Sequence, residues 1–188
     1  MTTVLDKFDI NKHYFEDPYP HVIIEDALPE DYYNKLYDTW PVSGIKETLP
    51  IIGGHTFRYM SNDVLNKKLV PVSTEWQKFF EDHTSQDYYL KVLNIFEKHI
   101  KHIDYLKNEK VKIRGSGKSN VVTETQFVIH NPVKETTRTD HLDNPIEIYA
   151  GLLYMRKPDD NAEGGDFVIY KSDPVTEVSR NNGREILE

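Results

Sequence analysis

An imidazole and a carboxylate two residues apart, His141-Leu142-Asp143, are the best-placed chemistry in this sequence. In a strand, residues i and i+2 leave the same face, so the two side chains converge without a special turn. One His and one carboxylate supply two of the three ligands of the facial triad that holds non-haem Fe(II) and keeps other coordination positions open. A second His, well downstream, would complete the set. His141 is the last histidine of the 188 residues, so residues 142–188 do not contain that ligand.

Such a pair needs a strand to hold it and a core behind the strand. The sequence supplies helices first and strands later. Pro20-His-Val-Ile-Ile-Glu25 reads as a short buried strand. Pro29 then opens a helix in which Tyr33, Leu36, Tyr37 and Trp40 fall at i, i+3, i+4 and i+7. Residues 41–54, broken by Pro, Ser and Gly, predict a loop. A second helix follows Ser73, with Thr74 and Gln77 spaced as a capping box and Trp76, Phe79 and Phe80 inward. Tyr89, Leu93, Phe96, Ile100, Ile103 and Leu106 predict one long helix over about 86–107.

From Val111 the period changes to two. Val121, Thr123, Thr125, Phe127 and Ile129 alternate with Val122, Glu124, Gln126, Val128 and His130. Residues 146–156 and 166–171 read as further strands, separated by a turn-rich stretch. A block of helices followed by several short strands predicts an α+β protein with a sandwich or jelly roll. The organisation expected is one domain over 1–188, with mainly helical support in 1–110 and the first core strands in 111–188.

Bulk properties narrow the function. Apolar residues make up 38% and aromatic residues 12%, enough for a real core, so global disorder is not expected. The net charge of −8, with no basic run, argues against nucleic acid as a partner. Cysteine is absent, which removes disulfides and thiolate metal sites. With no signal-like start and no bilayer-length apolar run, the expectation is a soluble cytoplasmic protein without membrane contact.

Several segments together resemble a known family. They are Thr125-Gln-Phe-Val-Ile-His-Asn-Pro132, His141-Leu-Asp-Asn-Pro145, Gly151-Leu-Leu-Tyr-Met-Arg156 and Gly164-Gly-Asp-Phe-Val-Ile-Tyr170, with Pro18-Tyr-Pro-His-Val-Ile-Ile-Glu-Asp-Ala-Leu-Pro29 near the start. This pattern is similar to the Fe(II)- and 2-oxoglutarate-dependent oxygenases, and in particular to prolyl-hydroxylase-like members from bacteria and phages. The resemblance covers about residues 18–40 and 120–171. It implies a double-stranded β-helix, with His141 and Asp143 as iron ligands and 2-oxoglutarate as cosubstrate, ascorbate being an optional reductant. A phage origin would place the protein in the host cytoplasm. Tyr154 is similar in placement to a residue that contacts 2-oxoglutarate, although a core or hydrogen-bonded structural role is the preferred reading. The substrate implied is a protein side chain or a small molecule.

The departures from that pattern are specific. The distal His is missing, and so is an evident Arg or Lys to anchor the far carboxylate of 2-oxoglutarate. Arg180-Asn-Asn-Gly-Arg184 reads as a turn, and residues 172–188 show no β pattern. Three expectations follow: a truncated oxygenase, which is preferred; one half of a split enzyme completed by a partner chain; or a non-catalytic jelly-roll scaffold. A cupin-like binder is a weaker fourth reading.

Other candidates carry less. His99 and His102, three apart, read as solvated surface beside Lys98 and Lys101. His130 could line a site on its strand or be an ordinary rim residue. His55 and His83 read as loop and capping residues. Arg114-Gly-Ser-Gly-Lys-Ser119 lacks the first Gly of a P-loop and precedes a strand, so a hairpin loop is expected there. Residues 159–163 read as a solvated acidic turn.

Overall fold

The computed structural model describes residues 1–131, 146–156, 159, 161, 180–181 and 184–185. The chain divides into two compact units, Met1–Tyr14 with Val22–Thr137, and Phe15–His21 with Arg138–Glu188. Helices and short sheets are mixed, so the protein is α+β.

In the first unit, α1 (Ile10–His13) is capped by Asp9, whose side chain accepts the Asn11 N–H. The expected strand at 20–25 is cut to two residues, β2 (His21–Val22), pairing with β1 (Tyr14–Phe15). Helix α2 (Glu30–Asp38) begins directly after Pro29, where the missing N–H costs nothing, and it buries Leu36 completely.

Half of the predicted loop at 41–54 is instead a helix, α3 (Val42–Thr48). Burial overrides the local breakers there. Ile45 is fully enclosed, and Gly44 packs so closely that a Cβ would lie 2.7 Å from Val70 Cγ1. Gly44 is therefore a contact residue in this helix rather than a breaker. After it, β3 (Thr56–Met60) leads into a π-helical turn over Asp63–Lys67.

Helix α4 (Thr74–His83) buries Trp76, Phe79 and Phe80 as predicted. Its cap lies one residue before the predicted box. Ser73 Oγ accepts the Trp76 N–H, and the Gln77 amide turns to Val72 O. The single helix predicted over 86–107 is three pieces: α5 (Gln86–Ile95), a 3-10 turn at Glu97–His99 and α6 (Ile103–Asn108). His102 sits at the reversal with φ +59°. The chain doubles back because the two ends of the apolar stripe satisfy each other. Tyr89 Oη donates to Leu106 O, and the Gln86 amide bonds Glu109 O and the Val111 N–H. An unbroken helix would have carried those groups apart.

The period-two segment is confirmed in its faces and interrupted in its length. Strands β5 (Val121–Thr123) and β6 (Gln126–His130) are separate, yet Val121, Thr123 and Phe127 are all buried. Strand β6 pairs antiparallel with β3, Tyr59 opposite Phe127 and Arg58 opposite Val128. Strand β4 (Val111–Ile113) pairs with β5 in parallel, so the segment between them is not the expected hairpin loop. Gly115 (φ +80°) and Gly117 (φ +153°) let this short connection turn back.

Phe127 joins sheet to helices. Its ring lies 4.6 Å from Trp76, 4.8 Å from Phe80 and 5.2 Å from Trp40. Trp76 Nε1 donates to Leu36 O, which satisfies the indole inside the core. Tyr59 Oη accepts the Val70 N–H and donates to Val70 O, fixing Val70 against Gly44.

In the second unit, Phe15 stacks on His21 at 5.3 Å. Residues 146–156 form no helix or strand, and Ile146, Leu152 and Tyr154 are exposed, so the buried strand expected there is not found. Strands β7 (Arg180–Asn181) and β8 (Arg184–Glu185) pair antiparallel, giving β structure where no such pattern was expected. Asn182-Gly183 between them is the usual two-residue hairpin signal. The strand expected at 166–171 lies outside the described residues.

Among the described residues, no helix is long and apolar enough to cross a membrane.

Candidate functional site

The polar face of the β3–β6 ladder is the best-organised group of chemistry-bearing side chains among the described residues. Its origin is the pleat. Phe57, Tyr59, Phe127 and Ile129 take one face, which leaves Thr56, Arg58, Gln126 and His130 to share the other with Met60 and Val128. Arg58 Nη1 donates to Gln126 Oε1 at 2.9 Å, so the two strands are tied across that face.

Glu124 precedes β6 and extends the network. Its Oε2 accepts from Arg114 Nε at 2.8 Å, while Oε1 is buried with no hydrogen-bond partner among the described residues. Burial pushes the Glu124 carboxyl above its ordinary range, and Asp63 adds to that, against the pull of Arg114 and Arg58. A half-satisfied carboxylate between two guanidinium groups can accept one further donor. Perturbed groups of this kind are enriched at functional sites and also occur in structural ion pairs.

At the other end of the ladder, Thr56 Oγ1 and His130 Nδ1 are 3.0 Å apart. The His55 ring stacks on His130 with centroids 6.0 Å apart. His55 Nδ1 lies 2.8 Å from Gly53 O, a pure acceptor, so Nδ1 carries the hydrogen and a neutral ring keeps Nε2 as an acceptor. The Asn131 N–H donates to His55 O at 2.7 Å and carries the pairing one residue past β6. His130 was expected near a site, and it belongs to this face.

No family model, curated protein or solved structure matches this chain.

The other expected site residues separate into groups. His141 and Asp143 lie outside the described residues. Tyr154 belongs to the second unit and is 52% exposed, which removes the core reading of that side chain. His99 and His102 are exposed, as expected, but on different elements, so they share no helix face. His83 ends α4, as expected of a residue at a helix end, but it is buried and reaches beyond its helix. It is 6% exposed, its Nδ1 donates to Phe79 O, and its Nε2 accepts the Val4 N–H at 3.1 Å. Among the described residues, no group of three His, Cys, Asp or Glu side chains could hold a metal ion.

Arg58 and the Arg114–Glu124 pair were missed as site residues. Residues 56–60 are absent from the predicted strands, although Thr56-Phe-Arg-Tyr59 alternates polar and apolar positions before Met60 breaks the pattern. The positions of Glu124, Gln126 and His130 on one face were legible. Their partners were not, because the pairing spans up to 74 residues of sequence.

Proposed function

We propose that the chain is an Fe(II)- and 2-oxoglutarate-dependent oxygenase, or a piece of one, built on a double-stranded β-helix. The observation that carries the reading is His141-Leu-Asp143 within the sequence pattern of residues 125–170. The β3–β6 ladder supports it more weakly. One face of this two-stranded sheet is apolar and packs on helices, and the other mixes the hydrogen-bonding Thr56, Arg58, Gln126 and His130 with Met60 and Val128, which is compatible with a wall of a ligand-holding barrel.

The donor set fits Fe(II) in kind, since an imidazole and a carboxylate are ligands that metal takes. It does not fit in number, because the sequence has no histidine after His141. His141 and Asp143 would hold the metal, and the reading needs a third ligand from elsewhere. Held by His141 and Asp143, iron would activate O2, the oxidant, with 2-oxoglutarate supplying two electrons as it is decarboxylated to succinate, for hydroxylation of a substrate C–H bond. The chain's own part would be to hold two ligands and shield the oxidant from water. The substrate class is a protein side chain or a small molecule. Ascorbate would serve as reductant, and a partner chain could complete the core.

The missing histidine favours a second reading, a jelly-roll interaction protein without a working centre. Anaerobic Fe(II) titration and succinate release from 2-oxoglutarate separate the two. The oxygenase reading expects one-to-one Fe(II) binding, weakened about tenfold or more in His141→Ala and in Asp143→Ala. Equal binding by wild type and both variants would remove the ligand assignment. Ligand-dependent binding without succinate release would leave the metal site and favour the non-catalytic reading.

A further inference from the structure

Lys110 and Lys112 leave the same face of the chain, two residues apart, at the start of β4. Lys118, from the connection between β4 and β5, lines the same cleft of about 520 Å3. Among the described residues, none of these three ammonium groups has a carboxylate partner. Elsewhere in the first unit Lys12, Lys67, Lys78, Lys91 and Lys107 each pair with an acid. Lys35, Lys46 and Lys68 likewise have no carboxylate partner among the described residues, so what sets Lys110, Lys112 and Lys118 apart is their convergence on one cleft in a chain of net charge −8.

The cleft is braced from within. Ser119 Oγ donates to Lys110 O at 2.7 Å, and the Asn120 amide donates to Glu109 Oε2 at 3.1 Å. These bonds tie the loop to the strand it faces, and Glu109 sets one negative charge in the cleft against three positive ones. The Lys112 ammonium lies 3.4 Å from where a Cβ on Gly117 would sit, so the glycine leaves room for it. The Gly117 and Lys118 N–H groups make no hydrogen bond among the described residues. Three ammonium groups converging on one cleft make a patch of local positive potential that suits an anion.

We propose that this cleft binds a phosphorylated small molecule. A phosphate offers three acceptor oxygens and nearly two negative charges at neutral pH, which suits several converging donors. The cleft is shallow and open to solvent, so it would take the phosphate while the organic carrier stays largely outside. The arrangement is not a P-loop, since a strand follows it, and it stands independently of the oxygenase reading.

Calorimetric titration of the full chain with inorganic pyrophosphate and with glucose 6-phosphate tests the site, with glucose and sodium sulfate as controls. One-site saturable binding of at least one phosphate compound is expected, exceeding that of both controls. Lys112→Met and Lys118→Met should each weaken it about tenfold or more, as losing a charge-assisted bond does. Lys35→Met and Lys101→Met, at exposed positions on other elements, should leave it unchanged. Lack of saturable binding, sulfate binding of equal strength, or equal losses in the control variants would overturn the proposal. Binding confined to a single-stranded RNA oligonucleotide would overturn it in favour of a backbone-binding surface.

Discussion

His83 shows how much one residue's neighbours decide. It closes α4 and takes the Val4 N–H on Nε2, while the Thr2 N–H bonds the adjacent Asp82. Both bonds fasten the start of the chain to a helix about eighty residues away. Burial holds the imidazole below its ordinary pKa, against the Phe79 carbonyl bond and the charges of Asp82 and Asp6. The unfolded chain therefore binds this proton more readily than the folded one. Stability should be complete above the unfolded value, about pH 6.5, and decline as pH falls below it. Urea denaturation at pH 7.5 and pH 5.5 checks this, and the decline should be smaller in His83→Ala. At pH 7.5 that substitution should cost about 1–3 kcal/mol, because it orphans the Val4 N–H and opens space in a buried position. A result within 0.3 kcal/mol, roughly the limit of such measurements, would argue against the clamp.

At the scale of elements, α3 and α4 make the sharpest tests. In a free helix, Gly44→Ala would be favourable by about 1 kcal/mol. Here the new methyl would lie 2.7 Å from Val70 Cγ1, and Tyr59 fixes the Val70 backbone on both sides. We expect the opposite sign, a net loss of about 1–3 kcal/mol by chemical denaturation, largely recovered when Val70→Ala is added. The cap of α4 gives a second test. Ser73→Ala should cost about 1 kcal/mol, and Thr74→Ala clearly less, because only Ser73 receives the Trp76 N–H. Equal losses would restore the box first read from Thr74 and Gln77. The starts of α2 and α4 were legible because caps and prolines act locally. The reversal at His102 was not, since both halves of 86–107 carry one continuous stripe and only the Tyr89–Leu106 and Gln86–Glu109 bonds show that they fold together.

On the scale of the whole molecule, the first unit rests on aromatic contacts centred on Phe127 and Trp76. Phe127 is 2% exposed and touches rings from α4 and β3 as well as Trp40. Phe127→Ala should destabilise this unit by about 3–5 kcal/mol. The chain's two tryptophans, Trp40 and Trp76, both lie against that ring, so intrinsic fluorescence reports the loss directly. A midpoint unchanged in urea would show that the ring is not central.

The sequence by itself determined the apolar stripes of α2, α4 and α5, the alternation that buries Val121, Thr123 and Phe127, and the His141-Leu-Asp143 spacing. Each follows from side-chain periodicity along a few residues, which needs no distant partner. Tertiary structure alone decided that α3 is helical, that 86–108 doubles back, that His83 is a buried clamp and that Glu124 meets Arg114. Burial and hydrogen-bond satisfaction are settled between segments far apart in sequence, and a helix stripe or a strand period records only which side faces inward, not what it meets there.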